Sequence, residues 1–423
     1  MLVENIGVVG VGKVGLPLAL VMAKYFEVKA VDMSSEVVNR IKNRGHFTEK
    51  NVNKYLEQYG SRLKVSTDFN LLRNCEVILV VVGTQTESYS PKNVKFALRE
   101  LAPYLTGSNQ VLVVVSTVNP TDMNSEIIPL LIHLQVKSEI KGICYNPAMI
   151  ALGNAIEGFE HPEYVLIGES DKEAGNKLEN IWKKVVPNGT PIIRSSIINI
   201  ETAKFALNLA LVNKISLINT ITEFCEKVSA DIDRIAEILK LDPRIAGKKM
   251  FKGGLGFGGP CFPRDVVAFK GVSKKFGASS YLCEAIQQVN QQQISRSVQL
   301  IESFHKKRIS ILGITYKPNT SITVESQALE IAHTLQRKGY EVIIYDPSGA
   351  ENAKSHLKGI KFADNMRKCV RDGEIVFIAV PWSEFSELGS KDFNEAQIII
   401  DAWRVLREKE LPCKYIAYGL KWK

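Results

Sequence analysis

The sequence predicts an α/β protein in which two doubly wound parallel sheets are joined by a long helix. Short apolar segments alternate with helical segments from residue 5 to about residue 195, and a second alternation begins at about residue 308. Between the two, residues 196–228 contain neither glycine nor proline, which indicates one uninterrupted helix. We therefore predict three domains, with the boundaries 1–195, 196–305 and 306–423.

The N-terminal region begins with a strand, a glycine turn, a helix and a second strand, in that order. Continuous apolar runs bounded by turn residues are typical of strands that are buried on both faces of a parallel sheet. The predicted segments are the strand NIGVVGVG, the helix LPLALVMAKYF, and the strands VKAVD, VILVVVG, VLVVVSTV, GICYNP and EYVLIG.

The middle region continues with a second helix, DIDRIAEILKL, which we expect to begin at Asp231 or Asp233 because aspartate is a preferred N-cap residue. A glycine-rich loop follows, and helical patterns resume over about 279–305. The C-terminal alternation of strands and helices then consists of RISILGITYK, ESQALEIAHTLQRKG, EVIIYDP, EIVFIAVPW and IIIDAW.

The composition is that of a globular protein with two or three domains, since 45% of the 423 residues are hydrophobic and 23% are charged. Seven scattered cysteines without a CxxC pair indicate neither a disulfide framework nor a metal site. The longest apolar runs have the length of strands, and the N-terminus carries no leader pattern. We expect a cytoplasmic protein that is not bound to a membrane.

The net charge of +9 narrows the choice of partners. There is no long basic tract and no alternation of aromatic and basic residues, so the sequence does not favour nucleic acid. Two interpretations are left, a basic protein without a special partner or a site for an anionic, phosphorylated substrate.

A glycine motif follows the first strand and is the strongest single signal in the chain. Gly10-x-Gly12-x-x-Gly15 opens a helix, and Asp32 ends the next strand, where a carboxylate accepts hydrogen bonds from a ribose hydroxyl. The competing interpretation is a glycine-rich turn without a ligand. Because Asp32 would repel a 2′-phosphate, the motif predicts NAD rather than NADP. The predicted cofactor contacts here are Gly10, Val11, Gly12, Lys13, Val14, Gly15 and Asp32.

Polar residues follow two later strands. Thr84 comes after VILVVVG, and Thr117 comes after VLVVV. Ligands of open α/β sheets lie beyond the carboxyl ends of the strands, so both threonines are candidates for the nicotinamide side of the site. Ordinary helix capping is the alternative and, for these residues alone, the simpler one.

The long helix carries three polar residues on one face. Glu201, Lys204 and Asn208 are spaced i, i+3 and i+7, among apolar neighbours. This pattern fits a polar stripe that lines a cleft, and it fits a solvated stripe equally well.

The stretch GFGGPCFPRDV, residues 256–266, places a thiol among glycines and next to charged residues. A thiolate is a strong nucleophile that neighbouring cations stabilise, and Lys252, Arg264 and Lys204 are candidates for that field. Asp265 is a candidate for orienting a water or a protonated amine. We expect the glycines to leave room for a ligand beside Cys261. The alternative is a structural cysteine in a turn.

A dinucleotide motif and a nucleophilic cysteine in one chain predict a specific chemistry. Oxidation of an alcohol gives an aldehyde, a thiolate traps the aldehyde as a thiohemiacetal, and a second oxidation gives a thioester that water hydrolyses. The residues leave two alternatives open. One is a two-electron dehydrogenase of a hydroxy acid, which needs no cysteine. The other is a non-catalytic protein that binds NAD or, as the family resemblance below implies, a nucleotide sugar.

Over essentially its whole length the chain resembles the UDP-glucose/GDP-mannose dehydrogenases, a family of nucleotide-sugar 6-dehydrogenases. The matching blocks, in order, are IGVVGVGKVGLPLA, STV at 116–118, ETAKFALNLALVNKISLINTI, GFGGPCFPRD and ITYKPNT at 314–320. The resemblance implies two Rossmann-like domains, a long central helix that builds a homodimer, NAD as cofactor, and oxidation of a UDP-hexose or UDP-N-acetylhexosamine to the uronate.

The resemblance also implies roles for individual residues. Cys261 is then the nucleophile, Lys204 and Asn208 lie at the reacting C6 oxygen, Asp265 holds a water or Lys204, and Thr117 positions that water. Arg244 is placed where the family uses an arginine of the partner subunit. The remaining implied contacts are Arg264 for the cofactor and Lys252, Phe257, Gly258, Lys317 and Arg404 for the substrate.

Four blocks depart from the family pattern. NPAMIALG, residues 146–153, has Ala148 and Leu152 where the family usually has glutamates, one of which is assigned to acid–base work. Arg264 stands in place of a lysine and cannot act as a base near neutral pH. The block SITVES, 321–326, lacks the usual aspartates and arginine, and Trp403 stands where an arginine is common. These departures leave open which group assists thioester hydrolysis.

Overall fold

The computed structural model describes residues 5–84, 90–105, 107, 109–136, 140–242 and 252–420. They form two compact units, Met1–Ala206 and Leu207–Lys423 by chain position, and the division falls within the long helix. Each unit is built around its own sheet, as the alternation of strands and helices predicts; the second sheet is parallel throughout, and the first is parallel except for one strand pair. The three-domain boundaries stay a prediction.

The first unit contains an eight-stranded sheet in the order β3-β2-β1-β4-β5-β6-β7-β8. All neighbouring strands are parallel except β6 and β7, which are antiparallel. Because the strand order reverses between β1 and β4, the loops that follow these strands flank a crevice where ligands of such sheets bind. The strands are β1 Asn5–Val9, β2 Glu27–Val31, β3 Leu63–Ser66, β4 Val77–Val80, β5 Val111–Val114, β6 Gly142–Tyr145, β7 Val165–Glu169 and β8 Ile192–Ser196.

The helices of the first unit cover both faces of this sheet. The first of them, α1, is buried along its whole length, because every residue of GLPLALVMA is apolar. A turn of π-helix, Met123–Ile127, precedes α5. The helices are α1 Gly15–Ala23, α2 Ser35–Lys42, α3 Val52–Tyr59, α4 Lys92–Leu101, α5 Ile128–His133, α6 Ala155–Glu160, α7 Lys172–Val185 and α8 Ile197–Val228, which continues into the second unit.

The second unit contains a six-stranded parallel sheet in the order β11-β10-β9-β12-β13-β14. This order is the one of the first six strands of the first sheet, so the C-terminal region is a second Rossmann-like domain. The strands are β9 Arg308–Leu312, β10 Glu341–Tyr345, β11 Lys361–Phe362, β12 Ile375–Ile378, β13 Ile398–Asp401 and β14 Lys414–Ala417.

The helices of the second unit include one that the sequence analysis missed. α10 begins directly after Cys261, in a stretch that we interpreted as a loop, and Pro263 lies in its first turn, where proline is favoured. The predicted helix after α8 is capped by Asp231, whose carboxylate accepts the backbone N–H of Asp233. The helices are α9 Ile232–Leu241, α10 Phe262–Lys275, α11 Tyr281–Glu302, α12 Gln327–Arg337, α13 Ala350–Lys354 and α14 Met366–Asp372.

The 32-residue helix α8 confirms the prediction of one long central helix. By length and composition alone it could also cross a membrane. Its polar residues Glu201, Lys204 and Asn208 are buried against protein, whereas lipid offers such groups no hydrogen-bond partners. We therefore interpret α8 as the core helix that joins the two units.

Candidate active site

The three glycines after β1 have different surroundings. Gly10 has a φ of +91°, and a Cβ added to it would lie 2.6 Å from the carbonyl oxygen of Val81. A Cβ on Gly15 would collide with the carbonyl oxygen of Gly10, so this glycine permits the close packing of α1. Among the described residues, no atom would lie within 4 Å of a Cβ on Gly12. Gly10 and Gly15 therefore shape the turn, and Gly12 leaves its backbone open to a pyrophosphate.

Asp32 lies directly after β2 and holds the glycine turn from the side. Its Oδ2 accepts the backbone N–H of Val11 at 2.9 Å, and its Oδ1 accepts that of Ser34 at 3.0 Å. The carboxylate is half-buried and has further lone pairs for ribose hydroxyls. Lys13 is exposed and Val14 half-buried, both at the mouth of the turn. The arrangement fits the adenosine side of NAD.

The loops after β4 and β5 lie side by side, since these strands are parallel neighbours. The hydroxyl of Ser116 donates to the carbonyl of Val82 at 2.8 Å and joins the two loops. Thr84 and Thr117 are both half-buried in these loops. They therefore lie at the same sheet edge as the glycine turn, where the nicotinamide end of a dinucleotide would lie.

Glu201 fixes the chain that follows Thr117. It is fully buried, and its two oxygens accept the backbone N–H groups of Thr121 and Met123, both at 3.0 Å. Burial raises the pKa of Glu201 to about 7, against the opposing effect of the two donors. The polar face of α8 is thus not a solvated stripe at this position.

Lys204 lies one turn further along α8 and is 9% exposed. Its Nζ donates to the carbonyl oxygen of Ala148 at 3.3 Å. Ala148 stands where the family usually has a glutamate, so the amine contacts this loop through the backbone instead of through a carboxylate. Beside Ala148 lies a cavity of about 20 Å³, lined mainly by apolar side chains and large enough for about one water.

Glu49 was not singled out by the sequence, yet its carboxylate reaches this loop. It accepts the backbone N–H groups of Gly153 at 2.9 Å and Ala155 at 2.8 Å, and so caps α6. Both contacts span more than a hundred residues of sequence, and no periodic pattern signals them. Glu49 therefore orders the segment that contains Leu152, the second departure from the family glutamates.

Cys261 lies at the N-cap position of α10 and is exposed. The positive end of a helix dipole stabilises a thiolate there. One turn into the helix, Asp265 is 3% exposed, and its backbone N–H donates to the carbonyl of Cys261 at 2.8 Å. The side-chain amide of Asn208 donates to the Asp265 carboxylate. Three of the predicted catalytic residues are thus adjacent within the second unit.

The other six cysteines differ from Cys261 in their surroundings. Burial raises the pKa of Cys75 to about 11, and those of Cys144 and Cys369 to about 12. Burial also raises the pKa of the three remaining thiols, Cys225, Cys283 and Cys413. All seven cysteines lie in described parts of the chain, and among them Cys261 alone is exposed. It is therefore the best placed nucleophile.

The glycines before Cys261 do not leave the open space that we expected. A Cβ on Gly259 would lie 2.5 Å from the ring of Tyr316, and one on Gly258 would collide with the carbonyl oxygen of Glu325. Both glycines are buried. They let the loop pack against the C-terminal domain, and the exposure of Cys261 comes from its position at the helix start.

Phe257, which we predicted to contact substrate, belongs to the protein core. Its ring is 5% exposed and packs with Val212, Val266 and Ile286. Its backbone N–H and carbonyl both bond to the side-chain amide of Asn290, each at 2.9 Å. The structure therefore favours a structural role for Phe257.

The cations predicted to contact substrate or cofactor differ from one another in burial and in their neighbours. Lys317 is half-buried, with its amine 5.5 Å from the centre of the Tyr316 ring. Lys252 is exposed, and desolvation together with the positive charge of the neighbouring Arg404 lowers its pKa. Arg264 lies in the first turn of α10, 3.9 Å from the Asp265 carboxylate. Arg244 lies outside the described residues.

Arg404 is bonded in a way that argues against a role in substrate binding. Its guanidinium is buried and donates to the Asp233 carboxylate at 2.9 Å, to the carbonyl of Tyr418 at 2.9 Å and to that of Gly253 at 3.0 Å. These partners use all of its nitrogens. Arg404 therefore ties α9 and the glycine-rich loop to the end of the second sheet.

Comparison with known proteins gives one family over most of the chain. Residues 4–186 match the NAD binding domain of the UDP-glucose/GDP-mannose dehydrogenase family, residues 199–292 its central domain, and residues 310–408 its UDP binding domain. A UDP-glucose 6-dehydrogenase of Rickettsia bellii is 30% identical over 99% of this chain and 100% of its own length.

Solved structures with the same fold cover the chain from end to end. A UDP-glucose dehydrogenase from the archaeon Pyrobaculum islandicum superposes with a TM-score of 0.91 at 26% identity, over 100% of this chain and 98% of that one. The UDP-N-acetyl-mannosamine dehydrogenase of Staphylococcus aureus shares the fold, with a TM-score of 0.81 at 23% identity over 98% of both chains.

These matches confirm several of the predictions made from the sequence: the pair of Rossmann-like domains, the long central helix, NAD as the cofactor and an enzyme that oxidises a nucleotide sugar. The roles of the individual site residues stay predictions. The three domains in their order, together with a relative that matches from end to end, place this chain in the UDP-glucose/GDP-mannose dehydrogenase family.

Proposed function

We propose that the protein oxidises the C6 hydroxymethyl group of a UDP-hexose or UDP-N-acetylhexosamine to the uronate, with a covalent intermediate on Cys261. The observation that carries this proposal is the exposed thiol at the N-cap of α10, next to the Asp265–Asn208 pair. A hydroxy-acid dehydrogenase that removes two electrons has no use for such a thiol. Four-electron oxidation requires one, because the aldehyde has to be held for a second oxidation.

The proposed reaction balances over two oxidations and one hydrolysis. The C6 hydroxyl loses a proton and its carbon loses a hydride, which gives the aldehyde. The Cys261 thiolate then forms a C–S bond with the aldehyde carbon, and loss of a second hydride gives the thioester. Water adds to the thioester carbon and the C–S bond breaks, which releases the carboxylate and returns the thiolate. The proton of the C6 hydroxyl and the two protons of this water pass to the solvent. When bound, NAD supplies the hydride acceptor, one molecule for each oxidation.

The polar residues of α8 and α10 stabilise the charges that develop during these reaction steps. We propose that the Lys204 ammonium and the Asn208 amide hold the C6 oxygen as it becomes negative. Asp265, which is fixed by Asn208, orients the attacking water, and Thr117 keeps the water-positioning role that the resemblance implies. No carboxylate lies within residues 146–153, so hydrolysis proceeds in this proposal without a carboxylate from that loop.

The nucleotide part of the substrate binds to the C-terminal domain in this proposal. That domain matches the family's UDP binding domain, and Lys317 is the residue that we assign to the nucleotide phosphates. We assign the positive charge of Lys252 to the same substrate. We assign the positive charge of Arg264 to the cofactor. The net charge of +9 agrees with an anionic substrate.

NADH formation with a panel of UDP-sugars tests the proposal. We expect two NADH for each sugar consumed and a uronate as the product. The variant Cys261→Ala should form no uronate, whereas Cys413→Ala, which changes a half-buried thiol elsewhere, should keep wild-type turnover. One NADH per substrate with an unaffected Cys261→Ala variant would favour the two-electron alternative. Tight NAD binding without turnover on any sugar would favour the non-catalytic one.

We further propose that the protein acts as a cytoplasmic homodimer built on α8. Leu217, Phe224 and Val228 on this helix are 48%, 63% and 51% exposed and follow helical spacing, so they form one apolar face. Ile238 and Leu241 on α9 add exposed apolar surface. A second copy that covers this face would remove it from water. The variant Phe224→Glu should then shift the mass measured by light scattering toward the monomer, and an unchanged mass would contradict the proposed interface.

A further inference from the structure

The loop that carries Cys261 is held at Phe257, four residues before the thiol. The side-chain amide of Asn290, on α11, bonds to both the N–H and the carbonyl of Phe257, each at 2.9 Å. A second amide adds to this pair. Nε2 of Gln327 donates to the same Phe257 carbonyl and to Oδ1 of Asn290, the latter at 3.1 Å. Gln327 therefore bonds to both acceptor oxygens of the Asn290–Phe257 pair.

Gln327 is the first residue of α12 and is 6% exposed. A buried amide is retained where its hydrogen bonds are made, since an unpaired one costs about 1–3 kcal/mol. Both acceptors of its Nε2 lie outside α12. The contact therefore joins the start of α12 to the cysteine loop and to Asn290 on α11.

Between Phe257 and Cys261 the loop has almost no side chains of its own. Residues 258–260 are Gly-Gly-Pro, and the N–H of Gly259 donates to the carbonyl of Val324 at 3.1 Å. The position of the thiol is therefore set by anchors outside the segment. These anchors are the amide pair at Phe257, the Val324 carbonyl that holds Gly259, and the first turn of α10.

We propose that Gln327 is a positioning residue for Cys261. Its amide fixes the Phe257 carbonyl, and through it the short segment that delivers the thiol to the N-cap of α10. The proposal rests on the proposed function in one respect: if Cys261 is the nucleophile, the placement of its thiol limits turnover. The placement itself can be measured without any substrate.

Thiol alkylation of the full-length protein tests the placement directly. Gln327→Met keeps the length of the side chain and removes the amide, and Gln327→Glu turns an oxygen toward the two acceptors. Gln336→Met is the matched control, since Gln336 lies on the same helix, is half-buried and donates to the carbonyl of Lys358. The rate at which iodoacetamide modifies Cys261 is followed by mass spectrometry. Buried Cys283 in the same unit reports any general opening.

We expect Gln327→Met to change the alkylation rate of Cys261 at least about threefold, with Cys283 still protected and Gln336→Met like wild type. Turnover on the UDP-sugar that the wild type oxidises should fall about tenfold, with the KM for NAD unchanged. Wild-type alkylation in both Gln327 variants would overturn the proposal, as would exposure of Cys283 in both. If the wild-type protein shows no turnover, the proposed function is contradicted. The alkylation rates would then still test whether Gln327 positions Cys261.

Discussion

The two sheets begin with the same backbone device and use it for different purposes. The first strand of each sheet ends at a glycine with left-handed φ, +91° at Gly10 and +92° at Gly313. In each sheet the next strand is followed directly by an aspartate, Asp32 or Asp346, that bonds back to this turn. Judged by the pattern of strand, glycine turn and aspartate, the two halves look equivalent.

The carboxylates differ in how many of their lone pairs are used. Asp32 is half-buried and accepts two backbone N–H groups. Asp346 is 5% exposed and accepts six donors, which are the N–H of Ile314, the N–H and hydroxyl of Thr315, the N–H of Ser348, the N–H of Gly349 and the indole N–H of Trp382. A carboxylate has about four lone-pair sites, so Asp346 has none left for a ligand.

The turns after β1 and β9 also differ, and again the first turn is the one that is open to a ligand. The first turn continues from Gly10 to Gly12, which has no atom near its missing Cβ, whereas the second continues with Ile314 and Thr315. The same strand–turn–aspartate unit can therefore serve two purposes. It can bind a ligand where the carboxylate has lone pairs without a hydrogen bond, and it forms a structural corner where all of the carboxylate's lone pairs accept hydrogen bonds.

Asp346→Asn should have the largest effect. The substitution places an NH₂ group among six donors and removes the charge that they share, so we expect the free energy of unfolding to fall by about 4 kcal/mol. NAD affinity should not change in the protein that remains folded. Thermal and urea unfolding measure the first quantity, and fluorescence titration with NADH the second. A variant as stable as wild type would mean that the corner does not depend on this carboxylate.

A second pair of buried carboxylates extends the comparison to the loops after β5 and β13, which occupy corresponding places in the two sheets. Glu201 holds the first loop from α8. Asp401 holds the second from its own strand, through the N–H groups of Trp403 and Leu406. Burial raises the pKa of both carboxyls, that of Glu201 from 4.5 to about 7.

Glu201→Gln should therefore flatten the dependence of stability on pH. The unfolded carboxyl releases its proton near pH 4.5, whereas the folded one keeps it up to about pH 7, so wild type loses stability as the pH rises through this window. The loss attributable to Glu201 is about 3 kcal/mol. Urea unfolding from pH 4.5 to 8 measures it, with exposed Glu57→Gln as the control. Parallel profiles for wild type and Glu201→Gln would contradict the assignment.

The glycines of the two turns give the third prediction. Gly313→Ala forces a side chain into left-handed φ against Val380 and should lower the free energy of unfolding by about 2 kcal/mol. Gly12→Ala places its methyl in open space and should leave unfolding unchanged, while it weakens NAD binding because the methyl blocks the pyrophosphate. Paired measurements of the unfolding midpoint and of NAD affinity check both. Loss of stability in Gly12→Ala would mean that this glycine also serves the fold.

Both sheets and the cofactor-binding residues of the first sheet could be predicted from the sequence, because their signals are local. Alternating apolar runs predict both sheets, because strand and helix periods are local, and Gly10, Gly12 and Asp32 follow a spacing tied to one ligand geometry. The role of Arg404 could not be predicted, since its partner Asp233 lies 171 residues away. The helix after Cys261 was missed because the glycines before it suggested a loop, although Pro263 in the first turn was a signal.

Asp32→Asn is the smallest expected change and the one that separates the two aspartates. Because Asp32 accepts two N–H groups from the described part of the chain and is half-buried, the amide should leave the unfolding midpoint within about 2 °C of wild type. NAD affinity should fall about tenfold, since bonds from the ribose to a charged acceptor are worth about 1.5–3 kcal/mol. The ratio of NADP to NAD affinity should rise, because the repulsion of a 2′-phosphate is gone. Titration with both cofactors measures this, and a large drop in stability with unchanged NAD affinity would make Asp32 a structural corner like Asp346.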